Sequence, residues 1–169
     1  MFPIALDLSQ LSILLIGTGP ATERRLKSLR EAGCEPKHLS EAPEAIPAAQ
    51  IIFIADFDEA TSERLYRAGK ANGALVNVED KRQFCDFHVP AIIRRGDLLM
   101  TVSTGGASPT LARKIRDIIG KLFGQEWAER TSEIAALRKG WRAQGASMQQ
   151  VAANTEKHLA DKGWLDEAA

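Results

Sequence analysis

The sequence predicts an α/β protein, with a parallel sheet and crossover helices in its first half and mainly helices in its second. Three observations carry this reading. The short apolar runs LSILLIG, IIFIAD and ALVNV have the look of strands buried on both faces. Two helical stretches, PATERRLKSLREAG and EATSERLYRAGKANG, lie between them, each closed by glycine. Strand, helix, strand, helix, strand with tight connections is the order that a parallel sheet with right-handed crossovers requires.

Each element has a local justification. Pro20 falls in the first turn of the first helix, where its missing N–H costs nothing; Leu26 and Leu29 stand three apart, and Gly33 can close the helix. CEPKHLS offers a weak additional strand, placed at a sheet edge by Pro36. The pattern changes at Pro90. AIIRRGDLLMTVST reads as two strands joined by Arg95-Gly96-Asp97, and SPTLARKIRDIIGKLFG sets Leu111, Ile115, Ile118, Ile119 and Leu122 on one helical face. Beyond Gly124, QEWAERTSEIAALRKGWRAQG and SMQQVAANTEKHLADKG predict two more helices, the second opened by a capping box of Ser147 and Gln150. Trp127, Trp141 and Trp164 read as helix-packing residues without chemistry.

The bulk numbers exclude several classes. The chain of 169 residues carries 22 Lys and Arg against 22 Asp and Glu, so no global field draws it to nucleic acid or a membrane. An anionic partner must be held by a local basic patch. The apolar run from Leu11 to Ile16 is far too short to span a bilayer, and MFPIALDLSQ lacks the basic-then-apolar order of a secretory signal. Two cysteines, Cys34 and Cys85, suit a reducing compartment. A soluble cytoplasmic protein is expected, with no nucleic-acid or membrane partner.

Three segments carry candidate chemistry. In LLIGTGPATERR, Gly17 and Gly19 lie between a strand and a helix, where a dinucleotide pyrophosphate could meet backbone N–H groups. The third fingerprint position is Thr22 instead of glycine or alanine, and no acidic residue ends the strand that should hold the ribose; Glu41 and Glu44 lie near, in a proline-rich loop. A structural strand–helix turn competes evenly with nucleotide binding here. In VNVEDKRQFCDFHVP, Asp80 lies just beyond a parallel strand, where α/β sheets place ligands, while Glu79 is expected on the opposite side of the strand. Locally, a turn cap is the competing role for Asp80. Cys85 reads as a packing residue, and Cys85 with His88 lacks the second pair that a zinc site needs. In STGGASPTLARKIR, a glycine loop opens a helix with Ser103, Thr104 and Ser108 as hydroxyls and Arg113 further along; Arg94 and Arg95 add charge or form a solvated hairpin tip. A nucleoside-triphosphate loop would need the Gly-Lys-Ser/Thr ending that is missing.

Taken in order, LLIGTGPATERRL, VNVEDKRQFCDFHVPAIIRRGDL and VSTGGASPTLARKIR resemble the precorrin-2 dehydrogenase / sirohydrochlorin ferrochelatase family, the N-terminal module of sirohaem synthases. The tail ALRKGWRAQGASMQQVAANTEKHLADKGWL is similar to the helical tail of single-function members. The resemblance implies a Rossmann-type NAD-binding domain over 1–89, a dimerisation region over 90–123 and a helical region over 124–169, assembled as a homodimer. It implies an enzyme that oxidises precorrin-2 to sirohydrochlorin with NAD⁺; some members then insert a metal, so that Fe²⁺ or Co²⁺ is a substrate and no resident metal site is expected. By the same resemblance Asp80 is the catalytic residue, Gly17, Thr18, Gly19, Pro20, Ala21 and Thr22 hold the cofactor, and Ser103, Thr104, Gly105, Gly106, Ser108 and Arg113 lie near the tetrapyrrole. The segment between Gly33 and Ile51 is shorter than the family pattern. Two other readings compete: a sirohydrochlorin chelatase without dehydrogenase activity, and a non-catalytic tetrapyrrole-binding dimer.

Overall fold

The computed structural model describes residues 2–166. The chain divides into two compact units, Met1–Val89 and Pro90–Ala169.

The first unit is built on a four-stranded parallel sheet. In chain order its elements are β1 (Ile13–Ile16), α1 (Pro20–Glu31), β2 (Lys37–Leu39), β3 (Ile51–Ile54), α2 (Glu59–Ala71) and β4 (Leu75–Val78). The strand order is β2-β1-β3-β4, so the chain reverses direction of growth between β1 and β3. That gap is the topological switch point at which open α/β sheets bind ligands. The strand pattern follows the period of two. Ile13, Leu15, Ile51 and Phe53 pack with Leu29 and Cys34 in one core cluster, with Leu26 against it, on the α1 side. Leu14, Ile16, Ile52, Ile54, Val76 and Val78 form the other cluster with Leu65 of α2. Both faces are covered, which is why these strands read as unbroken apolar runs.

Close helix–sheet packing explains Gly69 in the last turn of α2. A Cβ there would lie 2.9 Å from Val76 Cγ2 and 3.0 Å from Ile52 Cδ1. The missing side chain lets α2 settle onto the sheet. The expected additional strand in CEPKHLS is present as β2, three residues at the sheet edge. The two helix N-termini differ: Asp58 accepts a hydrogen bond from Thr61 N and caps α2, whereas Gly19 precedes α1 with no capping side chain of its own.

In the second unit, β5 (Ala91–Arg95) and β6 (Leu98–Val102) form an antiparallel hairpin, followed by α3 (Pro109–Leu122), α4 (Trp127–Ala143) and α5 (Met148–Lys162). Arg95 ties the hairpin to the end of α3. Its guanidinium donates to the carbonyls of Phe123 (2.9 Å), Gly124 (3.1 Å) and Gly120 (3.0 Å), satisfying groups that the helix end leaves unpaired. The Ser147–Gln150 capping box forms as expected. Trp127 is buried, and its ring meets those of Phe123 and Trp164. Among the described residues, no helix is long and apolar enough to cross a membrane.

Leu65 is fully enclosed between α2 and the sheet. Leu65→Ala is expected to destabilise the protein by about 3 kcal/mol, read as a lower denaturant midpoint with unchanged slope. A loss below about 1 kcal/mol would show that this cluster is not close-packed.

Candidate active site

The carboxyl ends of β1, β3 and β4 each lead into a short turn, and Asp56 and Asp80 stand in the second and third of these. The turn after β1 is the glycine loop. Gly17 and Gly19 adopt φ of 143° and 145°, values that L side chains avoid. A Cβ on Gly17 would fall 2.2 Å from the Ala55 carbonyl oxygen, and one on Gly19 would fall 2.8 Å from Asp56 Cγ. The loop therefore needs glycine at both positions. Thr18 Oγ1 donates to the Ser40 carbonyl at 2.7 Å, and Gly17 N donates to the Leu39 carbonyl at 2.9 Å, which fastens the loop to β2. Pro20 begins α1.

The turn after β3 contains a residue that the sequence reading did not single out. Asp56 accepts hydrogen bonds from Thr22 N (2.7 Å), Thr22 Oγ1 (2.8 Å) and Ala21 N (3.3 Å). Asp56 is exposed; its partial desolvation works against the charge, but the bonds from Thr22 and Ala21, with the Arg24 charge, prevail and hold its pKa below the usual aspartate value. A lowered folded-state pKa means that these bonds stabilise the fold above the ordinary aspartate range and lose their effect as pH falls through the folded value. Thr22, the departure from the glycine fingerprint, is 2% exposed and spends its hydroxyl on this carboxylate. The two substitutions explain each other. An acid directly after an apolar strand, opposite a threonine at the third fingerprint position, is the signal that could have revealed the pair.

The turn after β4 carries Asp80. Asp56 and Asp80 are the two non-glycine residues with positive φ among the described residues, at 61° and 60°. Such backbone is uncommon and clusters where a site fixes its geometry. Both neighbours of Asp80 are anchored. Glu79 pairs with Arg25 of α1 at 2.7 Å, the side chains 26% and 14% exposed, and Arg25 lies over the Phe53 ring at 5.0 Å. Lys81 Nζ donates to the Phe57 carbonyl (2.7 Å) and Ser62 Oγ (3.0 Å). Asp80 itself is exposed between these two anchors.

Cys85 is half-buried; burial first, then the charges of Glu79 and Asp86, push its thiol pKa up, so it is a packing group and not a thiolate. Its Sγ lies 3.2 Å from the Val78 carbonyl. Asp86 accepts from Val76 N at 2.8 Å and pairs with Lys70 at 3.0 Å, closing the segment onto β4 and α2. His88 is exposed. Among the described residues, no three His, Cys, Asp or Glu side chains gather to hold a metal.

In the second unit the segment Ser103–Ser108 forms a tight loop ahead of α3. Gly105 and Gly106 have φ of 64° and 85°. Thr104 Oγ1 donates to the Ser108 carbonyl (3.1 Å) and accepts from Ser108 N (3.0 Å), so this hydroxyl shapes the loop. Ser108 caps α3 by accepting from Leu111 N, and Gly105 N donates to Ser103 Oγ at 3.2 Å. Arg113 is exposed one turn along, touching Thr110. Arg95, a candidate for substrate charge in the sequence, is instead committed to carbonyls around the end of α3, whereas Arg94 is exposed.

Comparison with known proteins follows this division. Residues 4–91 match the family described as putative NAD(P)-binding, and residues 95–122 match the sirohaem biosynthesis protein central family. The siroheme synthase of Nitrosococcus oceani is 31% identical over 79% of this chain and 33% of its own length; that of Methylococcus capsulatus is 34% identical over 81% and 34%. The chain thus spans about a third of the length of these relatives. A solved structure described as SirC, precorrin-2 dehydrogenase, superposes with a TM-score of 0.76 at 21% identity, covering 98% of this chain and 92% of the other. At that identity the likeness establishes a shared fold.

Gly19→Asp should place a second carboxylate against Asp56 and obstruct the loop. Titration calorimetry with NAD⁺ is expected to show affinity reduced at least about tenfold. Unchanged affinity would place dinucleotide binding elsewhere.

Proposed function

We propose, from the premise that this chain belongs to the putative NAD(P)-binding family and carries the central region of sirohaem biosynthesis proteins, that it oxidises precorrin-2 to sirohydrochlorin with NAD⁺. The observation that carries the reading is the convergence of a two-glycine loop after β1 and a positive-φ aspartate after β4 on one edge of the sheet. What supports a dinucleotide here is a loop whose conformation requires glycine at both positions, with α1 beginning directly behind it. In the segment Gly17, Thr18, Gly19, Pro20, Ala21 and Thr22, the main-chain N–H groups of Thr18 and Gly19 would meet the cofactor's phosphates, and the other four residues would shape the loop around them.

The oxidation removes two electrons and two protons from the macrocycle. A bound nicotinamide supplies the acceptor for a hydride, that is, both electrons with one proton. The second proton needs a base, and the carboxylate of Asp80 takes it. The Glu79–Arg25 pair neutralises the nearest second carboxylate, and Lys81 braces the other side, so Asp80 is held in place without a competing unpaired charge next to it in sequence. The glycine loop of Ser103, Thr104, Gly105, Gly106 and Ser108, with Arg113, offers backbone donors and a cation to the substrate's carboxylates. The product would enter sirohaem or cobalamin formation in the cytoplasm.

A second reading, a chelatase without the redox step, is favoured by one observation: the N–H groups of Ala21 and Thr22 are already occupied. There Asp80 would take the pyrrole protons displaced by Fe²⁺ or Co²⁺ as substrate. The assembly is a homodimer in either case. Leu111, Ile118 and Leu122 of α3 are 51%, 59% and 52% exposed in the single chain, an apolar stripe at helical spacing that a second copy would cover.

Precorrin-2 incubated with the protein and NAD⁺ is expected to yield sirohydrochlorin, followed by its absorbance; no product with NAD⁺ but metal insertion into supplied sirohydrochlorin would establish the second reading. Asp80→Ala should lower dehydrogenation about 10²-fold or more without changing assembly. Near-wild-type turnover would remove Asp80 from the mechanism. Ile118→Glu should shift the protein to monomers in sedimentation, and an unchanged mass would place the dimer contact elsewhere.

A further inference from the structure

We propose that Asp56 sets the cofactor affinity of the glycine loop: its carboxylate occupies N–H groups of α1 that a dinucleotide phosphate would otherwise take, so the cofactor binds beside a fixed negative charge. The inference rests on the reading that this loop takes a nicotinamide dinucleotide.

Gly17 N–H goes to the Leu39 carbonyl, and Pro20 has none. Ala21 N–H and Thr22 N–H both go to Asp56. Of the six residues from Gly17 to Thr22, only Thr18 and Gly19 remain as main-chain donors for a phosphate. The end of a helix that ordinarily attracts an anion thus already carries one of the protein's own.

The arrangement is built, not incidental. Asp56 adopts φ of 61°, a strained conformation retained together with three hydrogen bonds. Thr22 is buried, and its hydroxyl would lack this partner without Asp56. Gly19 leaves the room: any Cβ there would meet the Asp56 carboxyl. Two positions, Gly19 and Thr22 on either side of the helix start, are fitted to a single carboxylate on the turn after β3.

The competing role is a plain cap, which tightens α1 while the phosphates ride on Thr18 and Gly19 unaffected. The two roles differ in what the charge does. Asp56→Asn separates them, since asparagine tolerates the same backbone, can still accept from Thr22 N–H and carries no charge. Binding of NAD⁺ and of NADP⁺ to the full chain is measured by titration calorimetry at low and moderate salt. Asp56→Asn is expected to bind about tenfold tighter at low salt, with a smaller gap at higher salt. Asp58→Asn, which removes the same charge from the cap of α2, is expected to change affinity less than twofold.

Affinity of Asp56→Asn within twofold of wild type, with an unchanged melting temperature, overturns the inference and leaves the cofactor assignment intact. Weaker binding in that variant also overturns it, because the carboxylate would then contact the cofactor directly. Equal tightening in Asp58→Asn overturns it in favour of net charge. No dinucleotide binding to wild type or variant, together with no NAD⁺-dependent turnover, removes both this inference and the reading beneath it.

Discussion

Burial of the central strands on both faces is the constraint from which the rest of the first unit follows. Leu14, Leu15, Ile16, Ile52 and Ile54 are essentially inaccessible, so β1 and β3 have no face on which a polar group could sit. Parallel pairing makes the strands run the same way, and their carboxyl ends must therefore come out together. Polar chemistry is driven to that edge. Asp56 and Asp80 both stand there, in the backbone conformation that lets a chain leave a strand and turn at once.

The edge is also electrostatically organised. Asp56 is satisfied by the start of α1, Glu79 by Arg25, and the Lys81 ammonium by the Phe57 carbonyl and Ser62. Arg25 and Thr22 belong to the same helix, so α1 contacts the turns after both β3 and β4. A ligand that presses on the start of α1 acts on a helix that also holds the residue beside Asp80. In the second unit, the corresponding economy is Arg95, which replaces solvent at the end of α3 and fixes the hairpin against it.

Much of this was legible in the residues. The strands announced themselves because double burial demands unbroken apolar runs, and the helices between them because each ends at a glycine, with Pro20 opening the first. Asp80 stood out as an acid at a strand end within a segment resembling a known family. What escaped the sequence depended on distant partners. The Asp56–Thr22 bond joins residues 34 apart, and nothing local to either residue marks the other as its partner. Arg95 reaches carbonyls more than twenty residues away, so its charge looked free. The stripe on α3 was visible as a helical face, yet only the fold shows that its own chain leaves Leu111, Ile118 and Leu122 uncovered.

The central claim is that cofactor and base meet at the carboxyl edge of the sheet. Backbone amide shifts during an NAD⁺ titration test it most directly. The account predicts perturbations at Thr18, Gly19, the Ala55–Phe57 turn and the Glu79–Lys81 turn, with little change at the opposite edge, where Leu11, Lys37 and Ala49 line a cavity of about 280 Å³. Perturbations confined to that opposite cavity, with the glycine loop and the Asp80 turn silent, would contradict it.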